Sequence, residues 1–276
     1  MWFAAIPLLH QLLLAYHSQP LGYQPPTIQQ QVLGAQTTQS SPATQTPRPE
    51  PIEEVGGEGQ TLTIAVLGDS MIDTLGSDLV DLRNNLRQQL PNYHFNLLNY
   101  GYGASTLEYA HYRLNHDYNY LGQQYPSLLS QKPDIIIIES FAYNNYGNQQ
   151  SGFDKQWMEL GAITTDIRKS LPNTKIILAA TIAPNSVIFA NGAPGTNYTS
   201  LEKIEKSSTI KLYLQNLVNF ANSQQFPLAD AYHPSLSGSE GQNRYISTTD
   251  NLHPSTEGAR LFSSILANTI TSTLRP

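Results

Sequence analysis

Two short stretches of this chain carry side chains that together could run nucleophilic catalysis: Gly68-Asp69-Ser70 and Asp250-Asn251-Leu252-His253-Pro254. A carboxylate three residues before an imidazole on one loop can accept a hydrogen bond from one ring nitrogen, leaving the other to take a proton from a serine hydroxyl. Each stretch alone has a plainer reading. Asp and Ser after a strand cap a helix by accepting from its free backbone donors, and Asp-x-x-His-Pro can be a capped turn before a proline. Between them lie two further strand ends with polar groups to offer, Asn99-Tyr100-Gly101 and Ala142-Tyr143-Asn144. The order serine, glycine, asparagine, then aspartate with histidine, each at a strand end or loop, is more than independent caps and turns account for.

The elements that must position these groups alternate along the chain. TLTIAVLG (61–68), FNLLNYG (95–101), DIIIIES (134–140), KIILAATI (175–182) and PLADAY (227–232) read as strands. The run 134–140 is continuous and β-branched, as a strand covered on both faces should be. Helical periodicity fills the intervals 77–90, 153–171, 203–224 and 255–274. Strands alternating with helices imply an α/β fold with a parallel sheet and helices on both faces. In such a sheet functional groups gather outside the carboxyl ends of the strands, which is where all four stretches fall.

Composition narrows the partners. Of 276 residues 39% are apolar, enough for a real core, and only 13% are charged, well below the roughly 25% of ordinary soluble domains. The net charge of −6, with no Lys or Arg cluster, offers nothing to neutralise a phosphate backbone, so nucleic acid is not an expected partner. The absence of cysteine excludes thiolate catalysis, disulfides and Cys-ligated zinc. Residues 1–17 form an apolar leader, WFAAIPLLHQLLLAY from 2 to 16, that reads as a signal peptide or membrane anchor. Residues 18–60, rich in Pro, Gln and Thr, read as a disordered linker, and 61–276 as the folded domain. The leader implies export or anchoring at the cell envelope, with a membrane tether.

Other candidates carry less. His233, with Asp230 at the end of its strand, is read as shaping a loop rather than as the base. His111, His116 and Asp117 lie in a Tyr-rich stretch whose spacing fits no compact metal pattern. That stretch reads as a solvated helix or a substrate-facing surface, whose tyrosines could stack on sugar rings. No metal or cofactor is expected.

The four stretches resemble the conserved blocks of the SGNH (GDSL-like) hydrolase superfamily. VLGDSM carries the first block, NYGYGAST the second, and DNLHP the Asp-x-x-His-Pro block. In the third, Ala142 and Asn145 stand where the family has glycine and aspartate in Gly-x-Asn-Asp. The resemblance spans 61–274. It implies a three-layer α/β/α sandwich around a mostly parallel five-stranded sheet, flavodoxin-like in order. It also implies Ser70 as nucleophile, Asp250 and His253 as its partners, and an oxyanion hole from Ser70, Gly101 and Asn144. The activity implied is ester cleavage through an acyl-serine intermediate, on a small-molecule or glycan ester. An O-acyltransferase with the same triad, or an inactive binding domain of the same fold, are the alternatives. The α/β-hydrolase pattern Gly-x-Ser-x-Gly fails at Ile72.

Overall fold

The computed structural model describes residues 59–275. The expected leader (1–17), and all but the last two residues of the expected linker (18–60), lie outside them. In chain order the elements are β1 (Gln60–Gly68), α1 (Ser70–Asp73), α2 (Val80–Gln89), β2 (Tyr93–Gly101) and α3 (Leu107–Asn115). A hairpin of β3 (Tyr118–Tyr120) and β4 (Gln123–Tyr125) follows, then β5 (Ile135–Glu139), α4 (Gln150–Ser170), β6 (Lys175–Ala180) and α5 (Ser200–Ser223). The chain ends with β7 (Leu228–Asp230), a small hairpin of β8 (Leu236–Ser237) and β9 (Glu240–Gly241), and α6 (Thr256–Leu274).

The main sheet has five strands in the order β2-β1-β5-β6-β7, and every pairing is parallel. The mostly parallel sheet expected from the sequence is therefore wholly parallel among the described residues. Every side chain of β5 is buried, so neither face of this strand meets water. The two-residue period divides the strands between two cores. Ala65, Leu67, Ile136, Ile138 and Leu178 pack with Leu107 and Leu114 of α3, Ile163 of α4 and Leu214 of α5. Ile64, Val66, Ile135, Ile137 and Ile177 pack with Leu82 of α2 and Phe262 and Leu266 of α6. Each such isoleucine contributes about 2 kcal/mol relative to an exposed one.

The chain leaves β1 toward the β2 edge and leaves β5 toward the β6 side. That opens a crevice above the carboxyl ends of the adjacent strands β1 and β5, the place where parallel sheets bind ligands.

One expectation needs correction. Residues 118–125 form a hairpin, and the Tyr-rich stretch is not a solvated helix, because Arg113, Leu114 and Tyr118 are buried. The apolar side of α3 faces the sheet and takes its arginine with it. His111, on the outer side of α3, lies between two carboxylates of α4, with Nδ1 3.3 Å from Glu159 and Nε2 2.9 Å from Asp166. Among the described residues no group of three acids and imidazoles is arranged to hold a metal.

Burial alone would lower the His111 pKa, but the two carboxylates outweigh it and hold the ring above its ordinary value. A raised folded pKa gives stability that is complete below the unfolded value, about 6.5, and is lost as pH rises through the folded one. Replacing His111 by Gln should therefore cost on the order of 1 kcal/mol at pH 6, with the deficit shrinking by pH 9. Thermal melts at both pH values check this, and an equal deficit at both would contradict it.

Candidate active site

Gly68 closes β1, and its lack of a side chain is required by space: a Cβ there would fall 2.1 Å from Ile72 Cγ1. The next residue, Asp69, caps α1, accepting the Met71 N–H on Oδ1 at 2.8 Å. The capping task that could have occupied Ser70 is thus performed by its neighbour. Among the described residues the Ser70 hydroxyl makes no hydrogen bond, and its backbone N–H, in the first turn of the helix, has no partner either.

Asp69 is fully buried, and its second oxygen accepts from Asn144 Nδ2 at 2.8 Å. A carboxylate only accepts, so this bond fixes which end of the Asn144 amide faces the serine turn. Asn144 comes from the 3-10 turn Ala142–Asn144 after β5. Asn145 is engaged within its own loop, donating to Ala142 O and accepting from Gly147 N–H. Asn144 is therefore the asparagine on the serine side of the rim.

Asp250 and His253 meet as their spacing suggests. Nδ1 of His253 lies 2.7 Å from Asp250 Oδ2, while Oδ1 accepts the N–H groups of Leu252 (2.9 Å) and His253 (3.1 Å). Burial would raise the Asp250 pKa, but these donors outweigh it and hold the carboxyl below its ordinary value. An ionised Asp250 keeps the ring proton on Nδ1, which makes Nε2 the basic nitrogen. Nε2 is buried without a hydrogen-bond partner.

The loop itself is held from both sides. Ala190 N–H donates to Asn251 O, Asn251 Nδ2 donates to Asn191 O, and Ile246 bridges Pro254.

The two stretches approach one another across the rim. Met71, next to the serine, packs with Ile182 and Ile246 in one buried cluster, and Ile246 is the bridge partner of the residue after His253. Burial raises the pKa of Asp69 and Asp73, the acids flanking Ser70, and His253 is close enough to be among the charges that pull both back. Ser70 Oγ and His253 Nε2 are not hydrogen-bonded to each other, a bond that often closes only around substrate.

One expected site residue has a different task. The N–H of Gly101 donates to Asn99 Oδ1 at 2.7 Å and so is not free to meet an oxyanion. An Asn two residues before a backbone donor is an Asx-turn signature, and Asn99 in Asn-Tyr-Gly could have given the warning. Gly101 is needed for space instead, since a Cβ would lie 2.3 Å from the backbone nitrogen of Asp73. The N–H of the following glycine, Gly103, donates to Tyr120 Oη at 3.0 Å.

The reading of His233 also missed something. Asp230-Ala-Tyr-His233-Pro234 repeats the Asp-x-x-His-Pro spacing. Its Nδ1 lies 2.6 Å from Asp230 Oδ2, and its N–H donates to Asp230 Oδ1 at 3.1 Å. The two pairs share a geometry and differ in surroundings: the His253 side chain is 8% exposed and that of His233 48%. His233 follows β7, three strands along from β1, a separation of about 14 Å at normal strand spacing.

A serine turn, an asparagine amide bonded to the carboxylate beside it and a carboxylate-fixed imidazole are the groups this rim offers for acyl-transfer chemistry. The chain belongs to the GDSL-like lipase/acylhydrolase family, whose model matches residues 66–261. It is an ester-hydrolysing enzyme.

Among solved structures it is similar to the lipase/acylhydrolase from Enterococcus faecalis, at 18% identity and TM-score 0.54, covering 78% of this chain and 98% of that one. A GDSL-like lipase from Bacteroides thetaiotaomicron matches at 13% identity and TM-score 0.52, covering 77% and 89%. An acetylxylan esterase from Geobacillus stearothermophilus matches at 15% and 0.54, covering 77% and 95%. No curated protein matches the chain in sequence.

Replacing Gly101 by Ala should destabilise the fold by about 2 kcal/mol through overpacking and lower ester turnover by displacing α1. Urea unfolding together with an ester assay checks both, and unchanged values would refute the space requirement.

Proposed function

We propose that the enzyme hydrolyses esters through an acyl-Ser70 intermediate, with His253 as general base and Asp250 as the carboxylate that orients it. The observation that carries this reading is the pairing of Asp250 Oδ2 with His253 Nδ1 at 2.7 Å, which leaves a buried, unpartnered Nε2 on the rim of the uncommitted Ser70 hydroxyl. Ser70 Oγ attacks the ester carbonyl as its proton passes to Nε2. The tetrahedral intermediate collapses, and the departing alcohol takes that proton. Water, deprotonated by the same nitrogen, then releases the acid and restores the serine. Charge on the carbonyl oxygen is met by the Ser70 N–H and by the Asn144 N–H that Asp69 does not engage. Gly101 takes no part in this step.

The substrate we propose is a short acyl ester on a cell-envelope carbohydrate or lipid, making the enzyme an esterase or deacetylase. The apolar leader would bring it there as an exported or membrane-anchored protein. Support for the carbohydrate comes from the similar acetylxylan esterase, described as catalytic variants lacking a serine or an aspartate, and from the tyrosines that crowd the β2 side of the rim.

A fluorophosphonate probe should label wild type and not Ser70→Ala. His253→Ala should lose most turnover of p-nitrophenyl acetate, while His233→Ala stays within about twofold. Equal losses from the two histidine variants would sink the assignment of the base. Asn144→Ala should lower kcat about 10²- to 10³-fold, or roughly 3 to 4 kcal/mol of transition-state stabilisation, with the fold intact by circular dichroism. Release of acetate from acetylated sugars, measured beside p-nitrophenyl esters of rising chain length, tests the substrate. A preference for long chains would replace the carbohydrate by a lipid.

A further inference from the structure

Arg113 is fully buried, yet among the described residues it forms no ion pair. Its guanidinium is boxed by the rings of Tyr102, Tyr109 and Tyr118, with centroids 5.3, 5.5 and 5.4 Å away. The hydrogen bonds it makes go to two strand ends and to the loop after β2. Nη1 donates to Tyr100 O at 2.7 Å, and Nη2 to Gly68 O at 3.2 Å and Ser105 Oγ at 3.1 Å. Gly68 is the last residue of β1 before Asp69 and Ser70, and Tyr100 is the next to last of β2. A single side chain thus ties together, from beneath, the strand that carries the serine turn and the strand beside it.

Holding two carbonyls needs donors but not a charge. Burying a guanidinium without a carboxylate is costly, and a neutral side chain could supply N–H groups at lower cost. What a charge adds is a potential that water does not screen. The charge is felt at the acids around Ser70: burial raises the pKa of both Asp69 and Asp73, and Arg113 is among the smaller influences that pull both back. Strand-end carbonyls, Asp69 and Asp73 all set negative potential where an oxyanion must form, and the buried cation opposes them from behind.

We propose that Arg113 is a positioning residue for the ester hydrolysis at Ser70, an inference that rests on the function proposed above. It fixes the ends of β1 and β2 under the serine turn, and its uncompensated charge favours the anionic transition state. The groups that face it are Asp69 and Asp73 from the serine turn and α1, Tyr102 after β2, Tyr109 on its own helix and Tyr118 from β3. It acts through backbone and field and touches no substrate.

The test compares Arg113→Met and Arg113→Lys with wild type, using purified protein, p-nitrophenyl acetate and a pH–rate profile, after fluorophosphonate labelling of Ser70 in the wild type. In Arg113→Met, kcat should fall about 10- to 100-fold with KM within about threefold. The acid limb of kcat/KM should move to higher pH, because removing a buried cation favours protonation of the groups around Ser70. Arg113→Lys keeps the charge and loses the fork, so kcat should fall less and the limb should stay. A purely structural arginine would lower the melting temperature and move neither kcat nor the limb in folded variants, and that result overturns the proposal. Should Arg113→Met fail to fold, Arg113→Lys decides alone: a reduced kcat with an unmoved limb supports the role, and wild-type kcat overturns it. Labelled Ser70 with indifferent Arg113 variants removes only this inference. A wild type unlabelled at Ser70 removes the proposed function and the role of Arg113 with it.

Discussion

The buried carboxylate of Asp69 holds two ends of the sheet in one place, and the rest of the site depends on that. One oxygen accepts the Met71 N–H and closes the first turn of α1; the other accepts the Asn144 amide from the loop after β5. Because β1 and β5 are neighbours whose chains depart to opposite sides, this pair of bonds spans the crevice between them. Burial pushes the Asp69 pKa upward, and the Met71 N–H, Asn144, His253 and Arg113 all pull it back. A buried carboxylate with a donor on each oxygen is held in place, and the same group with neither would be a liability. The freedom of the Ser70 hydroxyl follows from this arrangement, since the helix cap beside it is already filled.

Around that joint the acids divide according to what each is given. Asp250 receives three donors and is held below the usual carboxylate range. Glu139, at the end of β5, is fully buried beside Asp69 and is pushed well above that range despite bonds from Ser140 and Phe141. The Asp69 charge beside it adds to the upward push of burial on Glu139. Asp73 is raised by burial, and its Oδ2 accepts from Tyr120 Oη at 2.7 Å. That bond draws the β3–β4 hairpin over α1. The negative side of the rim is thus moderated by a phenol on Asp73 and by a guanidinium at the ends of β1 and β2.

Much of the fold was legible because its strands are extreme. A run such as Ile135–Glu139, buried on both faces, has no other stable home than the middle of a parallel sheet, and the helices between strands carry a clear period. The β3–β4 hairpin was not legible. Its strands, Tyr-Asn-Tyr and Gln-Gln-Tyr, lack any apolar alternation, and what holds them is tertiary: the stacked rings of Tyr118 and Tyr125 and the bond from Tyr120 to Asp73. The burial of Arg113 was hidden for the same reason, since nothing local in Leu107–Asn115 marks an arginine as interior. In the site, the contacts made within a few residues could be read from spacing, as with Asp250 and His253. Those made between strands could not, and the Asp69 to Asn144 bond crosses 75 positions of chain. Gly101 shows the opposite error, a residue whose motif position suggested a donor while a side chain two residues earlier had already claimed its N–H.

The recurrence of Asp-x-x-His-Pro separates what a motif encodes from what a site requires. In both copies the aspartate accepts the N–H of the residue three positions on and pairs with the imidazole Nδ1. The spacing is therefore a self-contained turn that folds the same way wherever it falls, and it says nothing by itself about catalysis. At Asp230 it ends an edge strand and leaves its imidazole half in water. At Asp250 the same turn is clamped by Asn251 and by the Ile246 bridge against the cluster that holds Met71. There Nε2 is removed from water without being given a partner. An unpartnered acceptor in a buried place is unfavourable in the resting protein, so what separates the two histidines is their surroundings and not the turn that holds them.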